Sequence, residues 1–557
     1  MRLPFLLVLA ALGAAASGHA ATVFDHANGY TLNSKNELVR FAAFAVDDNG
    51  RLISVGSSAQ VAAKAPAARH VDLQGKTVLP GLIDAHGHVF GLGGMLTQLD
   101  LSSTTSLADA LKVTAVYACA NPVTNAADSA WLRGRGWNQE VWKLGRFPTA
   151  AELDAVVPNR PVWFERVDGH AGWANSAALK LAGITAATPD PVGGKIVRDA
   201  QGNATGVLVD AARELVEKVL PRQSEAGARV VLDRALAELA RVGLTSVHDA
   251  GVDIGSDALY RDYADNGKLS ARVYAMIGGT EHDFDVLASK GPLKTYGGDM
   301  YALRAVKLSS DGALGSRGAA LLAPYSDEPK SHGLLFKTDA QMRAMMEKAM
   351  KKGYQVNVHA IGDAGNRQIL DGYEELIGKT STGGLRHRIE HAQVVALADI
   401  PRFRQIGVIP SMQPTHATSD MNMAEQRVGA ERIKGAYAWR TFLKQGSRIA
   451  CGSDFPVESP NPFFGIHAAV TRQSAANLPA AGWHKEQAMT LQEAFRCFTL
   501  DAAFAGHQEN QVGSLEAGKW GDFIVIDRDL FTMAPSDIHK VGVLQTWVAG
   551  KQVFQKK

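Results

Sequence analysis

Little in this chain points to a disulfide scaffold, a polyanionic partner or a membrane span. Only three of its 557 residues are cysteines, Cys119, Cys451 and Cys497, scattered and odd in number. They make no framework, and three thiols in apolar cores are expected. Lys and Arg (58) nearly balance Asp and Glu (56), and the net charge of +2 gives no electrostatic ground for nucleic acid or an anionic membrane. Small molecules are the expected partners. HExxH and GxSxG are absent, and the GLGG at 91–94 does not complete a GxGxxG. These absences remove support for zinc-peptidase, serine-hydrolase and dinucleotide readings. Beyond the first twenty residues no apolar run approaches the roughly 20 residues of a spanning helix.

Those first twenty residues, MRLPFLLVLAALGAAASGHA, have a positive start at Arg2 and an apolar stretch from Leu3 to Ala16. A small-residue cleavage site follows at Gly18-His19-Ala20. The pattern predicts a signal peptide over residues 1–20, too short and alanine-rich to span a bilayer. No cysteine lies near the cut to take a lipid. The mature protein is expected to be exported: periplasmic if the source is Gram-negative, secreted otherwise.

Two β-rich ends surround a middle of different character. Residues 21–79 carry TVFDHANGYTL, VRFAAFAVDDNGRLISVGSS, with a DNG hairpin signal, and HVDLQGKTVL. Residues 508–557 repeat the style in GDFIVIDRDLF and VLQTWVAGKQVF, and the two ends are expected to form one composite β-sandwich. Between them, over 80–507, eight apolar runs alternate with helical patterns. The runs are PGLIDAHGH (80–88), GLTSVHDA (243–250), ARVYAMI (271–277), LRAVKLS (303–309), YQVNVHA (354–360), LRHRIEHA (385–392), GVIPSMQ (407–413) and SRIACGSD (447–454). Eight such units predict an α/β fold, a parallel (β/α)8 TIM barrel. One helix, TLQEAFRCFTLDAA, opens on a Thr490/Glu493 capping box. The first two runs lie too far apart for one crossover, which places an inserted subdomain over 105–235.

Polar side chains recur at the ends of these runs. Residues i and i+2 of a strand share a face, so His86 and His88 project together. Alone, an HxH reads first as a polar strand terminus with two surface histidines. But Lys307 lies in the fourth run, His359 closes the fifth, His391 the sixth and Asp454 the eighth. A barrel gathers all six at one mouth. Imidazole and carboxylate donors suit a borderline cation such as Zn²⁺, with one position left for water. An ammonium would repel that cation. The difficulty goes if Lys307, neutral in a dry site, has captured CO2, since the carbamate is anionic and can bridge two ions; the plain alternative is a lysine paired with Asp454.

With AVKLSSDGALGSRGAALL, NVHAIGDAGNR, HRIEHAQ, GSDFPV, GRGWNQEVW, PTAAELD, RPVWFERVDGHAGWANSAAL and GLTSVHDAG, the chain resembles the amidohydrolase superfamily of metal-dependent barrel hydrolases. The likeness is to the branch related to N-substituted formamide deformylase and spans nearly the whole mature chain. It implies two divalent ions: His86, His88 and Asp454 on the buried one, His359 and His391 on the outer one, and carboxylated Lys307 between them. It further implies hydrolysis of an amide, N-formyl or N-acyl C–N bond in a small molecule, by bridging hydroxide with Asp454 as proton shuttle. Ser309 stands where that branch usually has an aromatic or aliphatic residue. Ala360, Ile361 and Gly362 follow His359, so the glutamate of barrel deaminases is missing. Cyclic amides, carbamates and lactones suit the same chemistry, and a metal-free exported binding protein is the alternative of another class. Zinc, manganese and iron all fit the donors, and a homodimer is common among such relatives.

Weaker signals lie outside this set. Trp131, Trp137, Trp142, Trp163 and Trp173 crowd the insertion, either as its core or as an aromatic wall that puts Trp137 against a substrate. His170 reads as a turn residue or a substrate contact, and Arg317 as a clamp for a substrate carboxylate or carbonyl. His248 and Asp249 are assigned to packing.

Overall fold

The computed structural model describes residues 21–33, 35–121, 131–166, 171–191, 194–221 and 224–557. Eight parallel strands stand side by side in chain order: Leu82–Gly87, Leu244–Val252, Arg272–Gly278, Tyr301–Ser309, Gln355–Ala360, Arg388–His391, Ile409–Met412 and Ala450–Cys451. We refer to them as strands one to eight. Strand eight returns to strand one, where Asp454 N donates to His86 O at 2.7 Å and His88 N donates to Phe455 O at 2.8 Å. This is the (β/α)8 barrel that the alternation of runs predicts. Its strands are apolar on both faces because parallel sheets are covered on both faces. In strand three Val273, Ala275 and Ile277 join the main core, while Tyr274 and Met276 join a separate cluster with Ala250, Ala302 and Ala305.

The helices carry the complementary period. Asp339–Lys351 starts at a Thr338/Gln341 capping box and buries Met342, Met346, Ala349 and Met350, one stripe at helical spacing. The Thr490/Glu493 box opens the helix Leu491–Cys497.

Strands from both chain ends share a six-stranded sheet ordered Lys551–Gln555, Val543–Val548, Phe523–Ile526, Thr77–Pro80, Asn28–Leu32, Leu38–Phe41. A four-stranded sheet of Leu52–Gly56, Ala43–Val46, Thr22–Asp25 and Arg69–Asp72 accompanies it. Phe24, Phe44, Phe523 and Trp547 pack in one cluster that joins residues from the two sheets. Arg272 at the start of strand three pairs with Asp522 through two hydrogen bonds of 2.7 and 3.0 Å, both residues buried, and so ties this sandwich to the barrel.

Between strands one and two lies a further six-stranded sheet that begins at Leu99–Asp100 and ends with Gly194–Arg198 and Ala204–Asp210. Adjacent residues of its strands serve opposite cores: Phe164 and Trp173 join Trp137 and Trp142 on one side, Trp163 and Ala174 join Trp131 on the other. A sheet covered on both faces accounts for the tryptophans without a substrate.

The cysteines correct the expectation of three core thiols. Cys451 and Cys497 are bonded, with Cα atoms 5.1 Å apart, and Cys119 is exposed. Folding brings the end of strand eight against the end of a helix, a proximity that a separation of 46 residues conceals. Replacing both by Ala should lower the unfolding free energy by about 2–4 kcal/mol. Urea denaturation under oxidising conditions checks this; an unchanged midpoint would rule out the cross-link.

Candidate active site

At the mouth of the barrel strand one ends in His86-Gly87-His88 and strand eight runs into Gly452-Ser453-Asp454. The two glycines permit the approach. A Cβ on Gly87 would lie 2.4 Å from the Phe455 ring, and one on Gly452 would lie 2.5 Å from His86 N. Asp84, buried in strand one, locks the loops together: its Oδ1 accepts from His86 N at 3.0 Å and its Oδ2 from Ser453 Oγ at 2.7 Å. Burial raises the Asp84 carboxyl to about 7 against those hydrogen bonds.

Five of the six expected ligands form a chain of direct contacts around Asp454 and His86. His88 Nε2 is 3.1 Å and His86 Nε2 3.6 Å from Asp454 Oδ1. Lys307 Nζ lies 2.9 Å from His86 Nε2. The His391 ring centroid is 4.9 Å from that of His86 and 4.5 Å from that of His359, the sixth residue. Donor atoms of His86, His391 and Asp454 all lie within 4.8 Å of one another. His391 and Asp454 have φ of +75° and +61°. Such left-handed backbone costs a non-glycine residue about 1–3 kcal/mol and concentrates at functional sites.

Charge in the cluster suits a cation. Burial, with the nearby Lys307 charge, lowers His86 to about 4 and His359 to about 3, so both imidazoles are neutral near pH 7. His391 is also held well below its ordinary value, by burial first. Burial works to raise Asp454, but the His88 hydrogen bond and the neighbouring histidines hold it well below the carboxylate range, so it is an anion. Burial lowers the Lys307 ammonium. His359 Nε2 is shut off from solvent without a hydrogen-bond partner among the described residues, 3.7 Å from Asp311 Oδ1. Neutral imidazoles, one carboxylate and a lysine of weakened basicity fit one or two divalent ions.

A shell behind this cluster was not found from the sequence. Glu390, fully buried, accepts from His86 Nδ1 at 2.5 Å, which leaves Nε2 of His86 facing the cluster. Arg388 lies 2.7 Å from Glu390 Oε1 and donates to Ala85 O, Ser411 Oγ and His248 Nδ1. Gln413 Oε1 accepts from His391 Nδ1 at 2.8 Å and orients that ring in the same way. A charged pair inside the fully buried strand Arg388–His391 was the available signal. His416, close to Asp454, was also missed.

The weaker assignments fare differently. Trp137 is fully buried and donates its indole N–H to Phe164 O at 2.8 Å, so the substrate-facing role is corrected to a place in the subdomain core. Arg317 is engaged by Asp327 at 2.9 and 3.3 Å, an acid it shares with Arg427, and the structure does not bring it to the cluster. His170 lies outside the described residues. His248 accepts from Arg388, and Asp249 accepts from Val89 N and Tyr260 OH, so both serve packing. Ser309 is exposed at the end of strand four, two residues beyond Lys307 and in register with His359.

Comparison with known proteins gives the family. The model of the amidohydrolase family matches residues 69–554. The chain is 32% identical to the Bacillus subtilis (strain 168) protein YtcJ, which carries an amidohydrolase name, over 95% of this chain and 98% of that one. It is 31% identical to the N-substituted formamide deformylase of Arthrobacter pascens, again over 95% and 98%. Among solved structures it is similar to a metal-dependent hydrolase from Pyrococcus horikoshii OT3, with 28% identity, a TM-score of 0.77 and coverage of 93% of this chain and 99% of that one. A chain matched over so much of its length belongs to the amidohydrolase family, and this protein is a metal-dependent hydrolase of carbon–nitrogen bonds.

Proposed function

We propose that this protein hydrolyses the C–N bond of a small N-formyl or N-acyl amine, outside the cytoplasm, with two divalent ions, zinc above others. The observation that carries the reading is the convergence of His86, His391 and Asp454, with Lys307 against His86, at the mouth of the barrel. The deformylase name of one relative supports the bond class. His86, His88 and Asp454 would hold the inner ion, His359 and His391 the outer one. Lys307 would bridge them: its neutral amine adds to CO2 and releases a proton, leaving an anionic carbamate. When bound, the ions supply water acidified towards a pKa of about 7 and a Lewis acid for the carbonyl oxygen.

The chain's own residues do the rest. Asp454, an anion at the mouth, accepts the proton of the attacking water and returns it to the departing nitrogen, a base that then acts as acid. Glu390 and Gln413 fix the tautomers of His86 and His391. Export is supported by the character of residues 1–20 and by the buried Cys451–Cys497 bond, a linkage that lasts in oxidising compartments.

Purified protein loaded with zinc should hydrolyse members of a panel of N-formyl and N-acyl amines, and dialysis against a chelator should abolish the activity until zinc is restored. Full activity after the metal is stripped would sink the reading. Growth in labelled bicarbonate should give a carbamate ¹³C resonance that disappears in Lys307→Ala.

A further inference from the structure

His416 has no part in the ligand set, yet it stands beside it. It lies in the helix Pro414–Asp420 that follows strand seven. Its ring stacks on His391, with centroids 5.8 Å apart and 22° between planes, and its Nε2 is 3.7 Å from Asp454 Oδ2. That nitrogen is shut off from solvent and, among the described residues, has no hydrogen-bond partner. The two oxygens of Asp454 thus differ: Oδ1 faces His88 and His86, and Oδ2 faces His416. His416 is also outside the group formed by His86, His391 and Asp454, whose donor atoms all lie within 4.8 Å of one another.

A buried N–H without a partner costs about 1–3 kcal/mol, which a site keeps when the partner arrives with the substrate. The nearby carboxylate oxygen draws the imidazole proton to Nε2. For Asp454 to pass protons, the attacking water and then the departing nitrogen have to come within hydrogen-bond reach of Oδ2, the oxygen that His88 and His86 do not face. The carbonyl carbon that both are bonded to then lies beside that oxygen, and its own oxygen can turn to His416 Nε2. The backbone at His416 is anchored where its N donates to Gln413 O at 3.1 Å, Gln413 is the residue that orients His391, and the stacking on His391 sets the ring itself.

We propose that His416 is a catalytic hydrogen-bond donor, whose Nε2–H holds the substrate's carbonyl oxygen as it gains negative charge. The assignment rests on the hydrolase reading above. It is a donation from a preorganised group, the kind of contact whose loss typically lowers kcat by about 10²–10³-fold.

The test uses the zinc-loaded full chain and three variants. His416→Phe keeps a ring to stack on His391, His416→Leu serves if Phe does not fold, and His416→Gln restores an N–H donor. The measurements are zinc content, kcat and KM on the best amine of the panel, and affinity for an N-benzyl methylphosphonamidate, a tetrahedral mimic. The Phe variant should keep its zinc, lose about 10²–10³-fold in kcat with little change in KM, and bind the mimic correspondingly more weakly. Gln should recover part of both losses. Near-normal turnover in the Phe variant, loss of zinc with the imidazole, or a fall in kcat with affinity for the mimic unchanged would each overturn the assignment. A wild-type protein that neither hydrolyses the panel nor binds the mimic removes the hydrolase reading and this one with it. A wild type that does both, beside an unaffected Phe variant, removes only the role of His416.

Discussion

Asp454→Asn should lower turnover by about 10²–10⁴-fold, the typical contribution of a positioned acid–base group, while keeping most of its bound metal. The substitution is chosen for the backbone as much as for the charge. Asp454 has φ of +61°, and asparagine is among the few side chains that tolerate that region. Alanine there would add backbone strain to the loss of the carboxylate. Asparagine keeps an oxygen where Oδ1 faces His88 and His86, so a ligand position survives. What it cannot do is accept a proton, as the proposed shuttle must, whereas the surrounding histidines hold the native acid as an anion. Turnover with zinc content measured in the same preparation checks this. A variant that turned over at close to the normal rate would end the proton-shuttle role.

The barrel and the polar residues that meet at its mouth were legible because each depends on one local rule. Parallel strands covered on both faces read as apolar runs, and a polar side chain at the end of such a run stands out, as His359 does after Val356 and Val358. The shell behind that cluster depends on pairings across the chain. Glu390 meets His86 from 304 residues away, and nothing near His86 signals the partner. The segment HRIEHA carried a partial sign, since two charges in a strand buried on both faces need each other. Strand seven was read only to Gln413, and the helix that brings His416 back over Asp454 has no strand-end pattern to reveal it. The five tryptophans of the insertion could not choose between core and wall by number alone. The alternation of Trp163 and Phe164 between two clusters settles it, because both faces of that sheet are covered. Cys451 and Cys497 were misread for the same reason as Glu390, a contact made only by the closed fold.

Glu390 carries the second large effect, and two variants separate its roles. In Glu390→Gln the side chain keeps its shape and can still accept from His86 Nδ1, but the charge that strengthens the hydrogen bond is gone. Carboxylates in this position behind a ligand histidine fix its ring and raise its basicity, and their loss typically costs 10–100-fold, on the order of 10¹–10², in metal affinity. Zinc dissociation measured against a competing chelator should show that weakening. Glu390→Leu goes further and leaves the fully buried Arg388 guanidinium without its counter-ion. Breaking one side of a buried pair destabilises by about 3–5 kcal/mol, well above the net worth of the pair itself. The double variant Arg388→Met/Glu390→Leu removes both charges and should recover much of that stability in urea denaturation, yet its zinc affinity should stay low, because His86 Nδ1–H still has no acceptor. Normal zinc affinity in Glu390→Gln and in the double variant would show that Glu390 serves only as the partner of Arg388, with no part in orienting His86.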